Sequence, residues 1–499
     1  MRFLLALCLL LPAQDKPEEV DKARDALNKG LTTLERYIVD RALVSLVKLN
    51  DEKTCDIFLA SFRAGVLQIA DFEKERQRVL KEMEKVEVTR DKDGKIVKGD
   101  LNKWLFLKRD YDVVWNKIEI LNYLVPRIVG QMSNLTTTKQ IILALNNTTE
   151  WFPRACAAEA LGRIASPEAV AALIARAGRE NEPGVRIAIA DALAPHTAKN
   201  EDARKAILPW LEGGIWGSRL AAAQALTRSG DKKVVPLLIK MLSGIGSGRM
   251  KYEINECLKK LTGITKHGEY AAWNAWWEKN ENEFLAGTYV PSKADLPDGP
   301  GVTQFYGIPL HSTKVVFIID TSLSMKEPTT WKPEVDTGID KLEGEKAIDV
   351  ARYELRKIIR QIPEGAHFDI IGMYGKLAML SEKWVVAAKD AREKAVKFVQ
   401  GLDVRVGTDV HGALIRALDF SGGNWNTPPR DDSIDTIFIL SDGMPSVGMS
   451  DMSQIPDRIL DGARFKRIAI TAICVAAPKQ GRDLLKKIAD GTGGLFVTR

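Results

Sequence analysis

A chain of 499 residues with 45% hydrophobic and 28% charged side chains can build several domains with real cores, which excludes a disordered or fibrous class. The net charge of +6 is small for this length, and no basic stripe interleaved with aromatics stands out, so nucleic-acid binding is not expected. Past the N-terminus no apolar run reaches the roughly 18 residues of a membrane span, so no transmembrane helix is expected.

Met1-Arg2 is followed by a nearly unbroken apolar run, Phe3 to Pro12, with Ala13 at a cleavage-like position. One basic residue, an apolar stretch and then a polar start predict a secretory signal over residues 1–13 and an extracytoplasmic (periplasmic or secreted) protein. Cys8 is not expected to be a lipid anchor, because Leu7 precedes it where a small residue belongs. The other cysteines, Cys55, Cys156, Cys257 and Cys474, lie about one hundred residues or more apart with no CxxC, so neither a thiolate metal site nor a disulfide framework is indicated.

Residues 20–135 read as a helical region: Ala26, Leu27, Leu31, Leu34 and Ile38 share one face. Val86-Glu87-Val88 and Lys95-Ile96-Val97 flank Asp91-Lys92-Asp93-Gly94, which predicts a small β-hairpin. The same acidic loop lacks the ligand register and closing Glu of an EF-hand.

A repeat follows. RACAAEAL, from Arg154 to Leu161, returns as RIAIADAL from Arg186 to Leu193 and as RLAAAQAL from Arg219 to Leu226, at spacings of 32 and 33 residues. A weaker copy runs through Glu253–Leu261, and second helical patterns lie between the copies at 167–179, 201–212 and 232–242. Two helices per unit at this period predict an α-solenoid, since each pair buries its apolar face only by stacking on neighbours. The segment resembles HEAT-like repeats, and the array is drawn as residues 136–285. Its last part holds Trp273, Trp276 and Trp277, three indoles on one helix face, expected to close the open end of the stack. Residues 286–312, with Pro291, Pro297 and Pro300, read as a linker, with Phe305 to Ile308 adding an edge strand to the domain that follows.

In residues 313–499 the apolar run Val315 to Ile319 ends in Asp320-Thr321-Ser322-Leu323-Ser324. A carboxylate and two hydroxyls at alternate positions suit a hard cation of the magnesium type. Gly407-Thr408-Asp409 precedes a helical pattern, and Ile437 to Leu440 ends in Ser441-Asp442-Gly443. Singly these are turn formers and helix caps, Thr408 being a natural N-cap. Together, in this order and each at the end of an element, they resemble the von Willebrand factor type A (vWA) domain with its metal-ion-dependent adhesion site. The resemblance implies a doubly wound, Rossmann-like α/β fold and the metal residues Asp320, Ser322, Ser324, Thr408 and Asp442. It also implies Mg²⁺ as cofactor, with Mn²⁺ or Ca²⁺ as alternatives, held by the serines and threonine directly and by the aspartates largely through water. A protein partner presenting an acidic residue would complete the coordination. Helices at 347–362, 387–401, 453–465 and 484–489 alternate with apolar runs at 368–374, 437–440, 468–475 and 495–497, as such a sheet requires.

The whole therefore reads as a multidomain chain, a helical solenoid followed by an α/β domain. No HExxH, GxSxG or GxxxxGK[ST] is present, and the five histidines are scattered, with His411 near Thr408 read as an ordinary helix residue. A non-enzymatic adhesion or scaffold protein is the expectation. The alternatives are an envelope scaffold whose metal is purely structural and a hydrolase with an unrecognised site in 20–135. The insertion Lys326–Gly344, with Trp331 and Asp336, is expected to shape partner choice.

Overall fold

The computed structural model describes residues 138–148, 150–297, 303–329, 331–333, 341–420, 427–475 and 477–499, with isolated positions between 22 and 114. The signal-like segment 1–13, most of 20–135 and Asp336 lie outside the described residues. The chain divides into two units, 1–193 and 194–499.

In the first unit, strands β1 (Thr89–Arg90) and β2 (Ile96–Lys98) pair antiparallel, as the hairpin pattern predicts, while the turn Asp91 to Gly94 lies outside the described residues. Helices α1 (Thr138–Asn147), α2 (Trp151–Ile164), α3 (Pro167–Ala177) and α4 (Pro183–Leu193) follow. The α3 start is written in its sequence: the Ser166 hydroxyl accepts the Ala169 N–H at 3.1 Å and proline takes the first helical position. Small side chains bring α2 and α4 together, with Ala155, Ala157, Ala158 and Ala160 wholly buried. At Gly162 a Cβ would lie 2.6 Å from the Ala192 Cβ and 2.8 Å from its Cα. Helix propensity alone favours alanine over glycine by about 1 kcal/mol. Here the backbone contact wins, so Gly162→Ala is expected to lower stability by about 1–3 kcal/mol in urea unfolding; a gain would show that the two helices do not meet there.

The second unit opens with the helices of the later repeats: α5 (Glu201–Ile207), α6 (Trp216–Thr227), α7 (Val235–Ser243), α8 (Arg249–Thr262) and α9 (Tyr270–Ala286). The arginine that begins each repeat copy has one recurring task. Arg154 donates to the Thr148 carbonyl (3.0 Å), Arg186 to that of Glu180 (2.7 Å) and Arg219 to that of Leu211 (3.1 Å). Each guanidinium thus satisfies a carbonyl of the segment that leads into its own helix, a loop for Arg154 and Arg186 and the end of a 3₁₀ turn, Leu208–Leu211, for Arg219. Within α9, Trp273 is wholly buried and donates to Asn255 Oδ1 at 2.8 Å, and Trp276 donates to the Tyr289 hydroxyl at 3.0 Å. Both indoles are thereby consumed by packing against α7 and α8 rather than offered as a platform.

Phe305 to Ile308 does not extend the main sheet. Strands β3 (Gln304–Phe305) and β4 (Ile308–Pro309) pair with each other around Tyr306 and Gly307, whose φ values are 53° and 74°. Two positive φ angles make a two-residue turn that reverses the chain at once, leaving each arm to pair with its mate. Phe305 instead enters the domain core, edge-on to Phe317 at 5.2 Å.

The remaining elements are β5 (Lys314–Asp320), α10 (Ala347–Gln361), β6 (His367–Met373), β7 (Leu377–Met379), β8 (Val385–Val386), α11 (Lys389–Gln400), α12 (Val410–Asp419), β9 (Thr436–Ser441), α13 (Ile455–Ala463), β10 (Ala469–Cys474), α14 (Lys479–Thr492) and β11 (Phe496–Thr498). The sheet order is β11-β10-β9-β5-β6-β7, with β8 also on β6; only β7 and β8 run antiparallel. Alternation along β5 sends Phe317 and Ile319 into a core with α10 and α11, and Val316 and Ile318 into one with α12, α13 and α14. Burial on both faces is why these strands read as unbroken apolar runs. The order reverses beside β5, which has β6 on one side and β9 on the other, so a crevice opens outside the carboxyl ends of β5 and β9.

Candidate metal centre

That crevice receives the end of β5. Asp320 is wholly buried and both carboxylate oxygens are engaged: Oδ1 accepts the Ser322 N–H at 2.8 Å and Oδ2 accepts the Ser441 hydroxyl at 2.6 Å. Burial pushes its carboxyl up to about 6 and the neighbouring Asp442 charge adds to this, against the hydrogen bonds from Ser322 and Ser441. A buried acid with a second acid beside it, and hydroxyl and amide donors as its partners, is an environment that a cation would relieve.

The chain then makes a 3₁₀ turn at Leu323–Lys326, closed by the Met325 N–H on the Ser322 carbonyl at 3.1 Å. The turn brings the Ser322 and Ser324 hydroxyl oxygens to 2.9 Å of each other. Adjacent ligands of an octahedral magnesium, each 2.0–2.1 Å from the ion, lie about 2.9 Å apart. The serine pair is joined by a hydrogen bond of that length, so a cation could replace the shared proton contact without moving either oxygen far. Leu323, between them, points outward and is half exposed.

Thr408 is placed by two glycines and a serine. Gly407 has φ 94° and its missing Cβ would lie 2.7 Å from the Gly375 Cα, so the 402–409 loop passes directly over the end of β6. The Arg405 N–H donates to the Thr321 carbonyl at 2.8 Å, tying this loop to the one after β5. The Thr408 N–H donates to Ser446 Oγ at 2.9 Å and its carbonyl accepts the Ser446 N–H at 3.0 Å. The N-cap of α12 is Asp409, whose Oδ1 accepts the Gly412 N–H at 2.8 Å, and not Thr408. The bland role open to Thr408 in sequence thus falls to its neighbour. Asp442 follows β9; its Oδ1 accepts the Met444 N–H at 3.0 Å, and Gly443, at φ 73°, allows the backbone to pass Gly481, whose carbonyl a Cβ would meet at 2.5 Å.

Hydrogen bonds thus join Asp320 to the Ser322–Ser324 turn, charge couples Asp442 to Asp320, and Ser446 ties Thr408 to the loop that Asp442 begins. Ser441 and Ser446 are the positioning residues that sequence reasoning missed. Ser441 left one sign, a hydroxyl ending an otherwise apolar strand. Among the described residues no three His, Cys, Asp or Glu side chains form a metal cluster, so a cation here would depend on hydroxyl oxygens. That donor set, two carboxylates and three hydroxyls, fits a hard ion of the magnesium class rather than zinc. In the insertion after the turn, Trp331 lies under the Arg499 guanidinium (4.5 Å) and against Tyr306 (6.0 Å), so it anchors the segment to the domain.

Comparison with known proteins gives three family matches: HEAT repeats over residues 123–194, a PBS lyase HEAT-like repeat over 218–244, and a von Willebrand factor type A domain over 313–497. The chain is 27% identical over 152 residues to inter-alpha-trypsin inhibitor heavy chain H1 of Bos taurus, a stretch that is 30% of this chain and 15% of that protein. It is similar to a von Willebrand factor type A structure from Catenulispora acidiphila at 20% identity, covering 38% of this chain and 39% of that one, with a TM-score of 0.28. It is also similar to the manganese-loaded Plasmodium vivax TRAP protein at 12% identity, covering 37% and 67%, with a TM-score of 0.25.

Proposed function

From a chain that carries HEAT repeats ahead of a von Willebrand factor type A domain, we propose a non-enzymatic, extracytoplasmic binding protein that captures an acidic side chain of a protein partner at a Mg²⁺ site. The observation that carries this reading is the hydrogen-bonded Ser322–Ser324 hydroxyl pair set beside a buried Asp320 that has Asp442 as a charged neighbour. Ser322, Ser324 and Thr408 would hold the ion, while Asp320 and Asp442 would balance its charge through water. When bound, the ion supplies an open position to a Glu or Asp from the partner, a charge-assisted contact of fixed geometry. Mn²⁺ or Ca²⁺ could occupy the same oxygens. No catalysis is assigned, because Asp320 is enclosed and hydrogen-bonded at both oxygens and is not poised as a base. The extracytoplasmic setting rests on the signal-like residues 1–13, and among the described residues no helix is long and apolar enough to cross a membrane.

The competing reading is a scaffold in which the metal only stiffens the domain, and the complete burial of Asp320, which turns no oxygen to solvent, favours it. Calorimetric titration of the metal-stripped chain with MgCl₂ or MnCl₂, followed by peptides bearing Asp or Asn, separates the two. The adhesion reading expects one cation site and binding of the Asp peptide alone, abolished by EDTA. Heat from the cation but none from either peptide would leave only the structural metal, and no heat from either cation would remove the site.

A further inference from the structure

Within residues 194–499, which form one compact unit, the last repeat helix grips the foot of the α/β sheet. Arg249, the first residue of α8, donates from Nη1 to the carbonyls of Asp435 (2.6 Å) and Arg467 (2.5 Å). Asp435 immediately precedes β9, and Arg467 stands two residues before β10. Arg467 has φ 58°, a conformation that non-glycine residues hold only where their surroundings fix it. One helical turn on, the Tyr252 ring stacks on His311 at 3.9 Å and 16°, just ahead of β5. Gly248 admits Thr313, whose Oγ1 a Cβ would meet at 2.9 Å. From α6, the Trp216 N–H donates to Asp431 Oδ1 at 2.9 Å, while Lys314 Nζ holds the Asp431 carbonyl. Ser312 donates to the buried Asp435 carboxylate at 2.5 Å. The entrances of β5, β9 and β10 are thus all held from the repeat side.

Joined domains move relative to each other by default unless their interface is extensive. This joint opposes such motion through a charged donor whose side chain is only 12% exposed and which satisfies two strand-entrance carbonyls. At their far termini β5 ends in Asp320 and β9 in Ser441, directly before Asp442. Six residues of β9 at about 3.3 Å each put those ends some 20 Å apart.

We infer that α6 to α9 form a rigid pedestal bolted by Arg249 to the foot of the sheet, so that the Asp320–Asp442 rim is presented away from the repeats. A partner bound at the rim is then held at a fixed separation from the repeats. The partner at the rim rests on the proposed function above; the joint does not.

Two measurements on the full chain test the joint without metal or partner. In the first, a site-specific protease sequence replaces residues 298–302 and the cleaved chain is run on a sizing column. The two pieces are expected to co-elute, and Arg249→Glu to weaken their association at least ~100-fold, equivalent to about 2.7 kcal/mol. In the second, spin labels at Ser243→Cys and Ser450→Cys, with Cys8 and Cys55 replaced by serine, report the distance between repeat and rim; Cys156, Cys257 and Cys474 are buried. One narrow distribution beyond roughly 20 Å is expected, broadened by Arg249→Glu at unchanged circular dichroism. Should that variant lose its fold, Asp431→Ala breaks the exposed Trp216 contact instead and should broaden the distribution less. Separation of the cleaved wild-type pieces, or a broad wild-type distribution, overturns the inference and leaves the cation reading untouched. Loss of cation binding in the wild-type chain would do the reverse.

Discussion

Ser322→Ala should weaken cation binding severely while leaving the fold nearly as stable as before. The Ser322 hydroxyl bonds Ser324 and also supports the Asp320 carboxylate, but the Ser322 backbone N–H and the Ser441 hydroxyl that hold Asp320 both survive the substitution. Its loss therefore costs the fold only about 1 kcal/mol. For a hard ion held mainly by hydroxyls, however, it removes one of three direct ligands and opens an edge of the octahedron, and affinity should fall at least ~100-fold, or about 2.7 kcal/mol. Ser441→Ala is the informative contrast. It leaves the ligand oxygens intact but orphans Asp320 Oδ2 in a buried position, so stability should drop by about 1–3 kcal/mol. Affinity should fall about 10–100-fold, the usual effect of removing a group that orients a ligand. Calorimetry with Mn²⁺ and urea unfolding, run on both variants, place them on two axes. A ligand moves mostly along the first and a positioning residue along both. Equal effects of the two substitutions on affinity and stability would show that the serine pair is structural. If an Asp-bearing peptide still binds Ser322→Ala after its cation is lost, capture belongs elsewhere and the scaffold reading gains.

The contrast between these serines also explains what was legible in the sequence. Asp320, Ser322 and Ser324 are local: a strand end and a tight turn fix their spacing, and five consecutive residues show it. Thr408 and Asp442 could be proposed because each again stands at the end of an element. The bond from Ser441 to Asp320 spans 121 residues of sequence and has no periodic signature. The same is true of the Ser446–Thr408 clamp, which depends on two loops crossing. Among the elements, the long helices and both-faces-buried strands declared themselves by period, whereas β7 and β8, of three and two residues, are too short to show any alternation. The β3–β4 arms looked like an edge strand because their apolar residues suit the core, and only the two positive φ angles at Tyr306 and Gly307 decide that they pair with each other. In the repeats, the alanine and leucine pattern gave the period, but the arginine that opens each copy acquires its meaning only when a loop carbonyl is seen waiting for it.

Asp369 was invisible in sequence because it sits inside an apolar run, and its substitution should change how stability depends on pH. It lies on β6, wholly buried, on the face that Ile371 and Met373 share with α12. Burial pushes its carboxyl up to about 7, against the pull of the Ile370 N–H, the Ser381 backbone and the Arg416 charge. In the unfolded chain the same group titrates near 3.8. The folded protein therefore retains a proton that the unfolded chain has released, and stability falls as pH rises through this window. Three pKa units correspond to about 4 kcal/mol, fully present below pH 4 and lost by about pH 7. Lys466, pushed down to about 7 by burial, acts with the opposite sign but only above that value, where folding is the state that binds fewer protons. Asp435 and Asp419, also raised by burial, act in the same direction as Asp369, so the wild-type slope is shared. Asp369→Asn isolates one share: it keeps the shape and removes the titration. The variant should be more stable than the wild type by a few kcal/mol at pH 7.5, with the gain shrinking toward zero or reversing at pH 4.5. Urea midpoints of both proteins in metal-free buffer at the two pH values give the double difference directly. A constant offset between them would mean that Asp369 is already ionised in the folded state at pH 4.5, held so by the Arg416 side of the sheet.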